Sequence, residues 1–319
     1  MTMEELAALA GVSLSAVSKA FSGSNDINEN KRQHIFTVAK EAGCYYKYIK
    51  KKMYKPVIAI ICNEIRGSLT SKFIYLLDKE IKLQGGTTII SCDNFEKDIR
   101  NELISYFAEH VGVDGIILFN PLDELAHYNI PIIMIGESDR YYSVDMTWKR
   151  AISEAISHFV EYGHKKIAFI GERHTAIKNT FFEDAIKENN LPVNRDYIIH
   201  SHMRFEDAGY DAMNTLLSLP DPPTAVLAAY DNIAFGAMKS IREHGLTIPE
   251  DISIIGMNDN EESQFMNVPL TTGTAYPEDL CQIVADVIFE KIRNGNFRDN
   301  KRIKISTELV KRGSVGKAK

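Results

Sequence analysis

The sequence predicts an α/β protein with a three-helix head at its N-terminus and a larger core of two lobes, each built on a parallel sheet. Three observations carry this prediction. Short helical patterns separated by glycine precede Cys44, apolar runs alternate with helical patterns from Val57 onward, and this alternation occurs twice in succession. Runs of Val, Ile and Leu between helices are typical of buried parallel strands, and two series of them indicate two lobes.

The composition is that of an ordinary globular protein with a large core, with 319 residues that are 45% hydrophobic and 25% charged. No apolar run reaches transmembrane length, and the N-terminus lacks the pattern of a signal peptide, so we expect a cytoplasmic protein. Residues 1–55 carry a net charge of +4, whereas the remaining residues carry −10, giving −6 overall. This split indicates that only the head meets a polyanion.

The residues that would indicate metal or enzymatic chemistry are not arranged for it. Cys44, Cys62, Cys92 and Cys281 form no C-x-x-C pair and have no neighbouring His cluster, so we expect four reduced and mostly buried thiols. The sequence has no phosphate loop and no G-x-S-x-G elbow. We therefore predict no metal, no cofactor and no catalytic residues.

The opening stretch predicts two short helices joined by a tight turn, followed by a third helix. Thr2 and Glu5 have the spacing of a capping box, Gly11 ends the first helix, and Ser13 caps the second. The third helix ends at Gly43. A generic three-helix bundle would also fit, but the glycine turn between helices of this length favours a helix-turn-helix that binds DNA.

The second helix is expected to bury one face and expose the other. The buried side chains are those of Val17, Ala20 and Phe21, while the first helix buries Leu6, Leu9 and Ala10. The residues on or near the outer face are Leu14, Ser15, Ala16, Ser18 and Lys19.

The core pattern consists of two series of apolar strands separated by helices. The strands of the first series are Val57–Cys62, Thr87–Cys92, Gly115–Phe119 and Ile132–Ile135. Those of the second series are Lys166–Ile170, Tyr197–His200, Ala225–Ala229 and Ile252–Met257. A helix from Pro277 to Arg293 follows, with short strands near Arg302–Ile305 and Glu308–Lys311.

Several segments match one known family in register over nearly the whole chain. They are Leu6-Ala7, Ala10–Ser13, Val17–Lys19, Gly163–Gly171, Pro223–Val226, Ala234–Met238, Ile248–Gly256, Pro269–Thr272 and Arg312–Ser314. Through these segments the chain resembles the lactose/galactose repressor family of bacterial transcription regulators.

The resemblance implies a homodimer that binds pseudo-palindromic operator DNA and a small effector, which in this family is commonly a sugar. It implies no association with a membrane. The core would be similar to periplasmic sugar-binding proteins, and the effector would change lobe closure and thereby operator affinity. The implied domains are a helix-turn-helix at 1–44, a hinge at 45–56, and an effector-binding and dimerisation core at 57–319. The N-lobe would span about 57–140 and 274–298, and the C-lobe about 141–273 and 299–319.

The family pattern places the DNA contacts on the head and the hinge. Leu14, Ser15 and Lys19 would contact base edges, with Lys donating to guanine and Leu touching a thymine methyl group. The residues that would contact phosphates are Ser13, Ser18, Lys31 and Arg32. In the hinge, Met53 aligns with an apolar wedge that enters the minor groove, and Lys50, Lys51 and Lys52 would attract phosphates.

The family pattern also supplies candidates for the effector cleft. They are Glu64, Asp145, Trp148, Lys178, Phe205, Tyr230, Asp231 and Asn258. Phe205 is a candidate stacking ring, and Trp148 replaces a usual glycine, so it either intrudes on the cleft or stacks in it. Asp145 and Asp231 have a second interpretation, as caps of the helices that follow them.

Three functions are compatible with this pattern. The first is a DNA-binding repressor released by a small sugar. The second is a regulator of the same build whose DNA affinity is raised by a ligand or by a partner protein. The third, a solute-binding protein or an enzyme on the same fold, is disfavoured by the N-terminal head and by the absence of catalytic motifs.

Overall fold

A computed structural model of the chain describes residues 1–45, 48, 55–119, 128–139, 141–295 and 300–319. The chain separates into two compact units, one of residues 1–56 with 85–87 and the other of residues 57–84 with 88–319. Among the described residues, no helix is both long and apolar enough to cross a lipid bilayer.

The first unit holds the three predicted helices, which are α1 (Met3–Leu9), α2 (Leu14–Ser22) and α3 (Glu29–Glu41). The capping box is present, because the Glu5 amide donates to Thr2 Oγ1 over 3.1 Å and the Thr2 amide donates to Glu5 Oε2 over 2.7 Å. Ser13 caps α2, since its Oγ accepts from the Ala16 amide over 3.2 Å. These side chains satisfy amides that have no partner within the helix, and they fix where α1 and α2 begin.

The three helices of the head share one apolar core. Leu6, Val17 and Ile35 are fully buried in it, and the rings of Phe21 and Phe36 lie 5.1 Å apart. Such a core is small, so the caps and the glycine turns contribute a substantial part of the stability of the head.

Two predicted orientations in the head were wrong. Leu9 is 58% exposed, because the buried face of α1 is centred on Leu6, Ala7 and Ala10. Ala16 is buried instead of lying on the outer face. It precedes the buried Ala20 by four residues, so the two side chains lie on the same side of α2.

The second unit contains twelve strands among its described residues. They are β1 (Val57–Cys62), β2 (Thr87–Cys92), β3 (Gly115–Phe119), β4 (Ile132–Ile135), β5 (Ser143–Thr147), β6 (Ile167–Glu172), β7 (Ile198–Ser201), β8 (Ala225–Ala228), β9 (Ser253–Met257), β10 (Thr271–Thr274), β11 (Arg302–Ser306) and β12 (Glu308–Val310).

Its α-helices, as far as the chain is described, are α4 (Ser68–Leu83), α5 (Lys97–Ser105), α6 (Lys149–Glu161), α7 (Ala176–Glu188), α8 (Phe205–Leu217), α9 (Asp231–Glu243) and α10 (Pro277–Asn294). A π-helical segment, Tyr106–Val111, continues α5, and short 3₁₀ turns cover Arg195–Tyr197 and Glu261–Gln264.

The strands form two six-stranded sheets, one in each lobe. The order in the first sheet is β11-β5-β4-β3-β1-β2, and the order in the second is β12-β10-β9-β8-β6-β7. The pairings β1–β3, β3–β4, β6–β8 and β8–β9 are parallel, whereas β12 runs antiparallel to β10. The predicted fold class, a head with two lobes built on parallel sheets, is therefore confirmed.

The predicted lobe boundaries differ from the sheets. We expected the first lobe to consist of residues 57–140 and 274–298. However, β5 and β11, which lie just beyond these bounds, both belong to the first sheet. Arg302 pairs with Ser143 and Ser306 pairs with Thr147 in parallel register. The first lobe therefore extends to Thr147 and to Ser306, and β5 escaped prediction because Asp145 interrupts its apolar run.

Each lobe has its own apolar core. Ile60, Leu77 and Ile288 are fully buried in the first, and Phe169 and Ile254 are fully buried in the second. Because each lobe is packed independently, the strand ends between the lobes are free to form a binding site.

Candidate functional site

The carboxyl ends of strands from both sheets face a common cleft. Asn63 and Glu64 follow β1 in the first lobe, Glu172 ends β6 in the second, and Asn258 follows β9. A cavity of about 230 Å³ lies between these residues. Parallel α/β sheets bind their ligands at this end of the strands, so this cleft is the candidate effector site.

An arginine joins two carboxylates across the cleft. Arg204 Nη2 lies 2.5 Å from Glu64 Oε1 in the opposite lobe, and its Nε lies 2.7 Å from Glu172 Oε2. Burial opposes the charge on this guanidinium, but the carboxylates of Glu172 and Glu64 raise the pKa of Arg204 above its ordinary value. The positive charge is thus permanent and shared between two anions.

An aromatic pair also spans the two lobes. The ring of Phe95 stacks on the ring of His174 with centroids 3.9 Å apart and planes within 9°. His174 Nε2 accepts a hydrogen bond of 2.7 Å from Arg173 Nε, which requires a neutral imidazole because a guanidinium has only donors. Burial and the charges of Arg173 and Arg204 lower the pKa of His174, in agreement with this geometry.

Lys178 lies in the cleft wall but directs its ammonium group at the protein. Its Nζ donates to the Ala229 carbonyl over 2.7 Å and sits 4.3 Å from the centre of the Trp148 ring. Complete burial lowers the pKa of Lys178 to about 7. This side chain therefore supports the Trp148 ring and supplies little positive charge to a ligand.

Asn258 Oδ1 is a buried polar atom of the cleft that has no partner. The buried Tyr230 hydroxyl interacts with the Glu172 carboxylate. Burial, with the nearby Glu172 carboxylate, raises the pKa of the Tyr230 phenol, so this hydroxyl stays protonated. A buried polar atom without a partner is costly, and a bound ligand would supply the missing hydrogen bond.

The backbone of the cleft is also unusual. Phe95, Phe205 and Asn258 have positive φ values of +66°, +57° and +110°. This region of backbone conformation is sparsely populated by residues other than glycine. Such conformations cost on the order of 1–3 kcal/mol each and concentrate at functional sites. Three of them in one cleft support its assignment as a binding site.

Six of the eight predicted effector residues line this cleft. They are Glu64, Trp148, Lys178, Phe205, Tyr230 and Asn258. Trp148 forms part of the wall, and Phe205 packs edge-on against Tyr230 with ring centroids 5.9 Å apart.

Asp145 does not line the cleft. It lies inside β5, where its Oδ2 is 2.6 Å from Arg302 Nη2 of the neighbouring strand β11. It is not a helix cap either, because α6 begins four residues later, at Lys149. Its ion pair holds the edge of the first sheet together.

Asp231 is likewise withdrawn from the cleft and is fully buried behind it. Its carboxylate accepts hydrogen bonds from Thr272 Oγ1 at 2.6 Å, the Asn260 amide at 2.7 Å and Ser263 Oγ at 2.8 Å. It is the first residue of α9, and Tyr230 occupies the cap position. Burial raises the pKa of Asp231 to about 7. Its role is to fix the loop that carries Asn258.

The cleft residues that the sequence did not predict include Asn63, Phe95, Glu172, His174 and Arg204. Glu172 had a usable signal, because it is a carboxylate at the end of an apolar parallel strand. Arg204 had none, since its two partners are 32 and 140 residues away in sequence.

The candidate DNA-contacting surface is the N-terminal part of α2. Leu14 is 45% exposed, and Ser13, Ser15 and Ser18 are also exposed. The Lys19 side chain is 44% exposed, with its Nζ 3.7 Å from Asp26 Oδ2. A surface ion pair of this length is weak, so the Lys19 ammonium can move to a base or a phosphate.

The two other basic candidates of the head differ from each other. Lys31 is exposed, whereas Arg32 pairs with Glu29 over 2.8 Å and donates to the Ser24 carbonyl over 2.5 Å. Arg32 therefore ties the polar turn to α3. The hinge candidates Lys50, Lys51, Lys52 and Met53 lie outside the described residues.

The family of periplasmic binding protein-like domains matches residues 156–315, which is half of the chain. The chain belongs to this family. In this chain the matched segment lies in the two-lobed core that follows the helix-turn-helix head.

Two curated relatives match the chain over its full length. The probable helix-turn-helix repressor ExuR of Bacillus subtilis is 27% identical over 99% of this chain and 98% of its own. The helix-turn-helix repressor PurR of Histophilus somni is 27% identical over 98% of both chains. The resemblance to the lactose/galactose repressor family is confirmed, and the chain is a DNA-binding transcriptional regulator.

Solved structures share the fold of this periplasmic binding protein-like chain. The complex of the regulator CelR with cellobiose has a TM-score of 0.72 at 21% identity, covering 98% of this chain and 99% of that one. The lac repressor dimer bound to operator and the anti-inducer ONPF has a TM-score of 0.76 at 20% identity, covering 99% of both chains.

Proposed function

We propose that this protein is a homodimeric repressor that binds a pseudo-palindromic operator and changes its operator affinity when a small sugar occupies the cleft. The observation that carries the proposal is the cleft at the strand ends of both sheets, in a chain with a helix-turn-helix head. Two heads related by a twofold axis would contact two half-sites, which is why a dimer and a palindrome belong together. The site of action would be the nucleoid, in the cytoplasm.

The base-contacting residues of the proposal are Leu14, Ser15 and Lys19. The exposed start of α2 would enter the major groove, where Lys donates to guanine and Leu packs on a thymine methyl group. Each good base contact contributes about 1–3 kcal/mol of discrimination against a wrong base.

The phosphate contacts of the proposal position the head without selecting a sequence. They are assigned to Ser13, Ser18, Lys31 and Arg32, with Lys50, Lys51 and Lys52 in the hinge. Since Arg32 already holds the turn to α3, Lys31 is the more available of the two head cations. Met53 is retained as the proposed minor-groove wedge.

The charges in the cleft favour a neutral polyhydroxy ligand over an anionic one. In the cleft lining, the carboxylates of Glu64 and Glu172 outnumber the guanidinium of Arg204, and Lys178 turns its Nζ to the Ala229 carbonyl. Two further cations, Arg66 and Arg173, lie at exposed positions beside Phe205 and His174. The unpaired Oδ1 of Asn258 is an acceptor, so it requires a donor, which a sugar hydroxyl group supplies. A carboxylate on the ligand would meet this acceptor and the carboxylates of Glu64 and Glu172 and be repelled.

The volume of the cleft favours a small sugar. At about 230 Å³, it lies below the range of about 300–1,000 Å³ that is usual for the sites of drug-sized ligands. Phe205 and Trp148 are the aromatic residues of the wall that were expected to meet the sugar, and both are largely buried.

Operator selection from random double-stranded DNA, repeated across a panel of sugars, tests the proposal. The panel contains neutral monosaccharides, acidic monosaccharides and disaccharides at equal concentration. We expect enrichment of a palindromic site and its loss with one neutral monosaccharide. A sugar that strengthens binding would select the corepressor alternative, and a pool without any enriched sequence would contradict DNA reading by the head.

A further inference from the structure

Two cysteine thiols face each other on adjacent strands at the edge of the first sheet. Cys62 is the last residue of β1, Cys92 is the last residue of β2, and their Sγ atoms are 3.6 Å apart. The Asp93 amide donates to the Cys62 carbonyl over 2.9 Å, which makes Cys62 and Cys92 register partners in the parallel pair.

This geometry is compatible with a covalent bridge. Neighbouring strands lie about 4.8 Å apart, inside the range of about 4.4–6.8 Å between the Cα atoms of disulfide-linked residues. The two sulfur atoms would need to approach from 3.6 Å to about 2.05 Å. Side-chain rotation and a small strand adjustment can supply this approach.

We propose that Cys62 and Cys92 form a redox modification site, where a peroxide converts the two thiols into a disulfide. Cys92 is half-buried and Cys62 is fully buried, so the peroxide reaches Cys92 first. The Cys92 sulfur attacks one peroxide oxygen, the O–O bond breaks, and the products are a Cys92 sulfenic acid and one water. The Cys62 sulfur then attacks the sulfenic sulfur, the S–O bond breaks, and a second water leaves with the Cys62 proton.

The bridge is expected to form slowly. Burial, together with the neighbouring Cys92 and Asp93, raises the pKa of the Cys62 thiol to about 12. Because the thiolate is the nucleophile, the closing step lags behind the oxidation of Cys92. Sustained exposure to peroxide, rather than a brief pulse, should be needed.

The bridge would act on the rim of the cleft, and this consequence rests on the proposed function. Asn63 follows Cys62 and lines the cleft, and Asp93 follows Cys92. Asp93 forms a buried ion pair with Arg100 and accepts from the Phe95 amide over 2.9 Å. Joining the strand ends therefore displaces the segment that holds Phe95 against His174, and we expect several-fold weaker sugar binding.

Intact-mass spectrometry of the full chain under hydrogen peroxide tests the site. The expected result is a loss of two hydrogens that dithiothreitol reverses, with a Cys62–Cys92 cross-link in the peptide map. Cys62→Ser should instead accumulate a Cys92 sulfenic acid that dimedone traps. The matched control, Cys281→Ser, should retain the cross-link, because this thiol is buried elsewhere in the first lobe.

Two results would overturn the proposal. One is a wild-type chain in which dimedone labels Cys92 as fully as in Cys62→Ser. The other is a peptide map in which peroxide produces only sulfinic acids. Because these readouts involve neither DNA nor sugar, a failure of the redox site is distinguishable from a failure of the proposed function.

Discussion

Replacing Arg204 with glutamine tests the charge network on which the cleft depends. Glu172 is only 1% exposed, so removing its cation leaves a buried carboxylate without a counter-ion. Breaking a buried ion pair in this way costs about 3–5 kcal/mol. In the ion pair between Arg204 and Glu64, each side chain is about one-quarter exposed. Ion pairs that contact solvent contribute about 0–1 kcal/mol to stability. We expect Arg204→Gln to lower the free energy of unfolding by about 3 kcal/mol, since the glutamine amide retains one hydrogen bond.

Urea unfolding at pH 7, followed by circular dichroism, measures this loss. The matched control is Arg195→Gln, whose side chain is 72% exposed and whose partner Glu183 is 15% exposed. Glu183 keeps a hydrogen bond from Asn179, so the control should change stability by less than about 1 kcal/mol. The double variant Arg204→Gln with Glu172→Gln should recover most of the loss, because no buried charge remains. Equal losses for Arg204→Gln and Arg195→Gln would refute the reasoning.

Three further predictions concern the head, the cleft and the buried lysine. Lys19→Ala should relax base selection at one operator position, at a cost of about 1–3 kcal/mol of binding free energy. Lys31→Ala should instead weaken binding to all DNA sequences and make the binding affinity less dependent on salt concentration. Binding titrations on the selected operator and its point variants distinguish the two outcomes. Asn258→Ala should weaken sugar binding roughly tenfold, through the loss of a hydrogen bond of about 1.4 kcal/mol, while operator affinity without sugar stays unchanged in the same titrations. For Lys178, the native pKa of about 7 lies below the ordinary 10.5, so the unfolded chain binds more protons between these values and stability rises with pH. This rise amounts to at most about 1.4 kcal/mol per pH unit, and Lys178→Met should flatten it. Urea titrations from pH 7 to 10 measure the free energy of unfolding of both proteins. If it depends on pH with the same slope in the wild type and in Lys178→Met, the burial of this ammonium group is contradicted.

Much of the fold was predictable because its strands are simple apolar runs. Val57–Cys62 and Gly115–Phe119 begin and end where the sequence indicates, since hydrophobic side chains are needed on both faces of a covered parallel sheet. Ser143–Thr147 was missed because Asp145 is neutralised by Arg302 on a strand 157 residues later. Local pattern cannot reveal an ion pair that forms only after the second crossing between the lobes.

The cleft shows the same limit more strongly. Residues that follow strands, such as Glu64 and Asn258, could be placed at the strand ends from the sequence. Asp231 was misassigned because its hydrogen-bond partners, Thr272 in β10 and Ser263 in a 3₁₀ turn, are distant in sequence and hold its carboxylate in the interior. Arg204 was invisible, since nothing in its own segment indicates that it connects two lobes.

Reciprocal binding between operator and sugar tests the central claim most directly. Two titrations suffice: operator affinity with and without saturating sugar, and sugar affinity with and without saturating operator. If the head and the cleft are coupled, both affinities change by the same factor, which is about 5–150-fold in typical allosteric proteins. A sugar that binds with the same affinity whether or not operator is present would contradict control of the head by the cleft.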